Sequence, residues 1–169
     1  MKTFLAILTS FFIPLLTGCY TSSISGNIQK PTTAIRTIAI SPSSGMFGDA
    51  VGIELANKGF IVIDGQQSAQ MLAVSGMSEF QLYLPESASK FANKGVDAIL
   101  AVRATAGYDG NPDNATIKLV SLKDGKIVVG ANWQNGGGGA RGSPADAIAR
   151  TGMASAAAKI AETVAEAIR

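Results

Sequence analysis

The chain has 169 residues, of which 15% are charged, and its formal net charge is +2. The cations are scattered singly, which excludes the basic patch that a nucleic-acid-binding protein needs. The sequence contains no histidine and a single cysteine, so it lacks the commonest general base and metal ligand and cannot form an internal disulfide.

The first residues have the layout of an export signal. Lys2 precedes an apolar run from Phe4 to Leu16, and small residues follow that run. The apolar run of about 13 residues is shorter than the roughly 20 that a membrane-spanning helix needs, and Pro14 interrupts it. We therefore predict a cleaved lipoprotein signal peptide over residues 1–18.

The stretch Leu16-Thr17-Gly18-Cys19 resembles the bacterial lipobox. The resemblance implies cleavage between Gly18 and Cys19, a diacylglyceryl group on the Cys19 thiol and an acyl chain on the freed amine. Two or three acyl chains anchor a protein stably, since each buried CH₂ contributes about 0.8 kcal/mol. Tyr20 stands where an aspartate would indicate inner-membrane retention, so the resemblance implies the periplasmic face of the outer membrane. The alternative is an ordinary buried cysteine or a reactive free thiol.

The segment after the signal is polar. Residues 19–33 are rich in Ser, Thr, Gly and Asn and show no apolar periodicity, which predicts a lipidated N-terminus followed by a flexible tether. Residues 34–169 are long enough for one domain with its own core. We therefore expect three parts: the signal, the tether and a single domain.

The first half of that domain alternates strands and helices. Residues 35–40 and 60–63 are β-branched runs, and the helical pattern between them ends at Lys58-Gly59. A strand, a helix and a strand with short connections predict a right-handed crossover and a parallel pair. Short helices are expected over residues 66–73 and 85–94, and the segment between them alternates weakly, as a short edge strand would.

The second half predicts three strands and a closing helix. Residues 96–106, 116–122 and 127–133 are apolar or alternate with period two, and the last two flank the Lys123–Lys126 hairpin signal. A glycine-rich loop over residues 134–144 leads into one alanine-rich helix over residues 145–168. The fold class is therefore α/β, with a mixed sheet of about five strands packed against helices.

Two of these stretches resemble a known family. Residues 94–105 are similar to the "G-x-D-A-I-L-x-G-x-V" strand of the curli-secretion lipoprotein CsgG and its relatives, and residues 119–128 are similar to their "L-V-D-x-K-T-G-K-I-V-W" hairpin. The relatives include the polysaccharide-export lipoprotein PelC, the penicillin-binding-protein activator LpoB and the N-terminal domain of TolB. The resemblance covers roughly residues 34–168 and implies a CsgG/TolB-N-like fold. The small accessory lipoproteins are the nearer comparison, because no alternating segments of about ten residues are spare for a membrane barrel.

Two loops contain candidate ligand motifs. Residues 137–142 satisfy G-x-G-x-x-G, but no parallel strand with an acidic residue follows, so we interpret them as a flexible loop in which Arg141 is available to an anion. Asp109, Asn111 and Asp113 begin like a calcium loop, yet the glycine and the bidentate glutamate of that motif are missing. A polar turn joining two strands explains the same residues more simply and is the favoured interpretation, so we predict no metal ion.

Candidate binding residues are mostly aromatic. Trp133, Tyr108 and Phe80 are candidates because aromatic rings are enriched at interface hot spots, although core packing is the favoured interpretation for Trp133. Tyr83 is the best candidate for an exposed ring. The sequence offers no G-x-S-x-G motif and no histidine to activate a serine, so we expect no enzyme and no catalytic residue.

These patterns predict a lipid-anchored, non-enzymatic accessory or scaffold protein of an envelope assembly or export system. Its only bound groups would be the acyl chains on Cys19, and it would act by assembling into a ring or by docking on a partner protein, without nucleic acid. One alternative is an activator of a peptidoglycan synthase that binds through Tyr83 and residues 134–144. Another, from a different class, is a hydrolase or a ligand-binding lipoprotein.

Overall fold

A computed structural model of the chain describes residues 19–169. It contains eight strands, five α-helices and two 3₁₀ turns, the turns being Pro42–Ser44 and Glu79–Tyr83. The strands and helices are β1 Cys19–Tyr20, β2 Ser23–Ile28, β3 Thr37–Ile40, α1 Gly45–Asn57, β4 Ile61–Ile63, α2 Gly65–Val74, α3 Pro85–Ala92, β5 Ala98–Ala106, β6 Pro112–Ser121, β7 Ile127–Gln134, β8 Gly137–Gly138, α4 Pro144–Ala149 and α5 Met153–Ile168.

Six strands form one mixed sheet in the order β2-β7-β6-β5-β3-β4. β3 runs parallel to both β4 and β5, as the strand–helix–strand pattern predicted, and the other pairs are antiparallel. β1 and β8 form a separate small antiparallel pair. The predicted fold class, a single α/β domain with a mixed sheet packed against helices, is confirmed.

The sixth strand comes from the segment that was predicted to be a flexible tether, and that prediction is wrong over residues 23–28. β2 pairs with β7 along its whole length. Of its residues only Ile24 packs against the main core, so the apolar pattern was too weak to reveal it. At Gly26 the two backbones approach so closely that a Cβ would lie 2.3 Å from the Gly130 carbonyl oxygen. Backbone hydrogen bonds and this close approach hold the strand, and neither leaves a periodic signal.

The sheet separates two apolar cores. α1 and α5 cover one face, and small residues of α5 (Ala156, Ala157, Ala161) allow the helix to lie close to the sheet. α2, α3 and the 3₁₀ turn Glu79–Tyr83 cover the β3–β5 side of the other face through Leu72, Leu82 and Phe91. The rest of that second face, over β6, β7 and β2, carries exposed polar side chains. The weakly alternating segment before α3 is thus a helical turn and not an edge strand.

The alanine-rich C-terminal segment forms two helices where one was predicted. α4 ends at Ala149, Arg150 takes an extended conformation (φ −76°, ψ 140°), and Gly152 caps the start of α5. Ile148, which a single continuous helix would place on its apolar face, is 86% exposed. Thr151 and Gly152 are poor helix formers, so the local sequence already weakens a continuous helix at this point, and the contacts of Arg150 add a tertiary cause for the break. Within residues 19–169, none of the helices combines the length and hydropathy that crossing a bilayer requires.

Candidate functional site

The proposed lipidation residue is the first residue that the structure describes. Residues 1–18, with Leu16, Thr17 and Gly18 of the lipobox, lie outside the described residues. Cys19 and Tyr20 form β1, in which Cys19 is opposite Gly138 and Tyr20 is opposite Gly137. The backbone of Cys19 therefore lies against the glycine-rich loop of the domain, without a spacer between them.

Glycine is required in that loop because β1 and α4 pack against its backbone. A Cβ at Gly136 would lie 2.5 Å from the Ala149 carbonyl oxygen and 2.7 Å from that of Tyr20. Gly139 and Gly142 have φ values of +72° and +82°, which other residues rarely adopt. The run of glycines thus serves a crowded, sharply turning loop, and the prediction of a flexible loop does not describe its role.

Asp146 organises the glycine-rich loop from within. Its carboxylate is buried and accepts hydrogen bonds from Gly142 N (2.9 Å), from Gly138 N (3.3 Å) and from the Tyr108 hydroxyl (2.8 Å). The Gly142 N–H and then the Tyr108 hydroxyl lower the pKa of Asp146, and the same hydrogen bond raises the pKa of Tyr108. In a dinucleotide-binding loop these N–H groups would face a phosphate. Here a carboxylate of the protein itself takes the place of that anion.

Arg150 joins the loop to the strand hairpin behind it. Its Nε and Nη2 lie 2.8 and 3.0 Å from the two Asp109 oxygens, and Nη2 lies 2.6 Å from Asp113 Oδ1. The Arg150 side chain is only 8% exposed. This guanidinium is the main reason why the pKa of Asp109 lies well below its usual range, and Asp109 in turn raises the pKa of Arg150. Two carboxylates of the calcium-loop motif are therefore ion-paired with one arginine.

Asn111, the third residue of that motif, also has a structural role. Its side-chain Nδ2 donates to Asp109 Oδ2 (3.0 Å), and its Oδ1 accepts from Met153 N (3.2 Å) at the start of α5. The motif thus joins the β5–β6 loop to the C-terminal helix. This is the geometry of a polar turn, the favoured interpretation of the motif.

Arg141 is the more exposed of the two arginines at this end of the sheet. It pairs with Asp113 Oδ2 at 3.0 Å, and its guanidinium lies 5.6 Å from the centre of the Tyr108 ring, over which Arg150 also lies at 5.0 Å. A cleft of about 300 Å³ opens beside these groups, between β1 and the glycine-rich loop. The charged side chains at this cleft are already paired with one another. They therefore hold together the N-terminal strand β1, the glycine-rich loop and the β5–β6 hairpin.

The other predicted binding residues lie elsewhere. Trp133 is fully buried in the core under α5, so it offers no binding surface and the core interpretation is correct. Tyr83 is half-buried, and Lys118 Nζ lies 4.6 Å from the centre of its ring. Because Arg141 contacts the Asp113 end of β6, five residues away, the two candidates are separated by roughly 17 Å of strand. The structure therefore places Tyr83 and the glycine-rich loop at separate points along β6.

Asp146 and Arg150 are the residues of this region that were not predicted as site residues. Ser143-Pro144 before Asp146 is a helix-start signal, and the Ser143 hydroxyl does accept from Asp146 N (3.2 Å). That signal indicates where α4 begins and not what the carboxylate binds. Arg150 lay inside a continuous helical pattern, and its partners are 37 and 41 residues earlier in the chain.

The chain is similar to several solved structures, although at low sequence identity. No protein-family model matches the chain, and no curated protein matches it. Among solved structures, the PelC dodecamer from Paraburkholderia phytofirmans is 15% identical, over 82% of this chain and 96% of that one, with a TM-score of 0.44. Lipoprotein GNA1162 from Neisseria meningitidis is 15% identical, over 77% of this chain and 94% of that one, with a TM-score of 0.46. At these identities and scores the likeness assigns the chain to no family, so its function is inferred from its own residues.

Proposed function

We propose that the chain is a lipid-anchored, non-enzymatic accessory protein of the bacterial envelope, held at the periplasmic face of the outer membrane through Cys19. The observation that carries the proposal is the Leu-Thr-Gly-Cys stretch after an apolar run, with the sole cysteine of the sequence at its end. The free cysteine is the alternative that the experiment below separates from it.

A scaffolding role is supported by the polar side chains near β1, which bond to other groups of the protein itself. Asp146, Asp109 and Arg150 hold the loops together through mutual hydrogen bonds and ion pairs. A catalytic acid or base must be able to reach a proton on a substrate. Groups committed to one another in this way stabilise a surface instead, and a stable surface is what an assembly protein needs.

Self-assembly is the form of scaffolding that we propose, and an apolar edge of the domain supports it. The apolar edge consists of Ile53 on α1 and Ile61 on β4, which are 64% and 63% exposed. Ile53 borders a groove with Ala56 and Val62, and the Ile61 side chain, which alternates with that of Val62, lies on the other side of β4. Among residues 19–169, β4 is the last strand of the sheet, so its outer backbone groups are free to pair within this part of the chain. Exposed apolar side chains beside a free strand edge are typical of a protein–protein contact.

The lipid anchor is tested by metabolic labelling with an alkyne fatty acid in a bacterium that processes lipoproteins. We expect the wild-type chain to carry the label and to sediment with membranes, and the Cys19→Ala variant to lose the label. A wild-type chain that remains unlabelled and soluble after lysis would contradict the proposal. Density-gradient separation of the two membranes then tests the outer-membrane assignment.

Self-assembly is tested by light scattering after size-exclusion chromatography of the full chain in detergent. We expect an oligomer that dissociates in the Ile53→Ser/Ile61→Ser variant. Val74→Ser is the matched control, because Val74 is equally apolar and 85% exposed but lies on α2, away from the apolar edge. A wild-type monomer at all concentrations, or equal effects of both variants, would contradict this part of the proposal.

A further inference from the structure

The uncovered part of the sheet presents an ordered array of polar side chains. Strand register places Arg103, Thr116, Asn132 and Ser25 directly opposite one another, in a row across β5, β6, β7 and β2. Because side chains alternate between the faces of a strand, the residues two positions away lie on the same side. We call this surface the polar sheet face: Ser23, Ser25, Asn27, Arg103, Thr105, Asn114, Thr116, Lys118, Asn132 and Gln134.

The face carries two cations and no carboxylate. Lys118 is opposite Ala101, and Arg103 is opposite Thr116, so the two cations are diagonal neighbours on adjacent strands. The backbones of such diagonal neighbours are roughly 7–8 Å apart. Among residues 19–169, neither cation takes part in an ion pair. Two adjacent positive charges without a counter-charge attract an anion.

An aromatic wall stands at the β5 side of the face. Phe80 and Tyr83 of the 3₁₀ turn border a cleft of about 280 Å³ whose floor is formed by Ala101, Arg103, Thr116 and Lys118. The Phe80 ring is 79% exposed, although the turn is firmly held by the buried Leu82 and by Glu79, which accepts from Ser43 Oγ at 2.6 Å. The exposure of Phe80 is therefore a property of an anchored turn and does not come from a loose loop.

We propose that the polar sheet face binds an acidic oligosaccharide. The acidic groups of the ligand would lie on Arg103 and Lys118, a sugar ring would stack on Phe80, and its hydroxyls would bond the Thr and Asn side chains. The four strands span roughly 14 Å, which suits several linked rings better than a single sugar.

Hydroxyl and amide chemistry favours a sugar over a protein on this face. Interface cores are depleted of charged residues and of serine, and a polar group that is desolvated without a new partner costs free energy. Sugar hydroxyls both donate and accept, so they can replace the waters on this surface. This proposal does not depend on the lipid anchor or on the apolar edge.

The test is calorimetric titration of the full chain, purified in detergent, with oligogalacturonate and with a neutral galactose oligomer of equal length. We expect binding of the acidic oligomer alone, weakened at least tenfold in the Arg103→Gln/Lys118→Gln variant and weakened by added salt. Lys123→Gln is the matched control, because Lys123 is exposed in the hairpin outside the face. A Phe80→Ser variant is expected to weaken binding while the salt dependence is retained.

Equal binding of both oligomers, no binding of the acidic one, or undiminished binding by the double variant would overturn the proposal. Polyglutamate that binds as tightly as oligogalacturonate would overturn it in favour of an acidic protein segment. Because all substituted side chains are solvent-accessible, the variants are expected to keep the wild-type circular dichroism spectrum and thermal midpoint.

Discussion

Replacing Trp133 with alanine is expected to destabilise the fold by about 3 kcal/mol, near the lower end of the range for truncating a core aromatic residue. Trp133 is fully buried. Burying roughly 200 Å² of aromatic surface at about 25 cal/mol per Å² corresponds to about 5 kcal/mol as an upper bound. The indole N–H has no hydrogen-bond partner among residues 19–169, and an unpaired buried donor costs about 1–3 kcal/mol, which lowers the net contribution.

Urea unfolding followed by circular dichroism measures this change. A loss of 3 kcal/mol moves the midpoint by about 1–3 M, since the slope is typically about 1–3 kcal/mol per M. The matched variant is Trp133→Phe, which keeps most of the apolar volume and removes the unpaired N–H, so its cost should stay below about 1.5 kcal/mol. An alanine variant within about 0.5 kcal/mol of wild type would refute the burial, since exposed substitutions fall in that range. A phenylalanine variant as unstable as the alanine one would contradict the dominance of apolar volume, because both variants lose the indole N–H and only phenylalanine keeps an aromatic ring.

Two further predictions concern the contacts of the glycine-rich loop region with the β5–β6 hairpin and with β1. Arg150 holds the folded-state pKa of Asp109 below its unfolded value, so the stabilisation is present above about pH 4 and is lost as the pH falls below it. The Arg150→Met variant should therefore be less stable at pH 7 and lose less stability between pH 4 and pH 2, and an unchanged acid slope in urea titrations would contradict this. Gly136→Ala should displace β1 and speed hydrogen exchange at Tyr20, because the new Cβ meets backbone at 2.5 Å, whereas Gly130→Ala adds a contact at an ordinary 3.5 Å. Equal exchange at Tyr20 in both variants would refute the docking of β1.

The sequence predicted those parts of the fold in which the buried residues form a local apolar run or alternate with polar residues along the chain. β3 and β5 are buried over most of their length, and both are apolar runs bounded by turn residues. β6 alternates because one of its faces packs under α5 and the other faces solvent. The glycine after the Asp124 turn has φ +65°, in keeping with the hairpin signal. In each case the residues that decide the structure are neighbours in the chain.

The parts that the sequence did not predict depend on contacts between distant residues. β2 is a strand because β7 offers it a free edge, and its own residues carry almost no apolar pattern. The polar sheet face was equally hidden, since Arg103, Thr116, Asn132 and Ser25 become a row only once the strand register is known.

The break between α4 and α5 shows how such a contact adds to a local signal. Arginine is a good helix former, but Thr151 is β-branched and Gly152 costs about 1 kcal/mol in a helix interior, so the local sequence only weakens a continuous helix. An extended backbone at Arg150 lets its side chain reach Asp109 and Asp113 on the β5–β6 hairpin. Each exposed helical residue is worth only a few tenths of a kcal/mol in propensity, whereas a hydrogen bond to a charged group contributes about 1.5–3 kcal/mol. The side-chain contacts therefore act together with Thr151 and Gly152 to fix the extended backbone at Arg150, and the glycine-rich loop that contacts the backbone of Cys19 is positioned as a consequence.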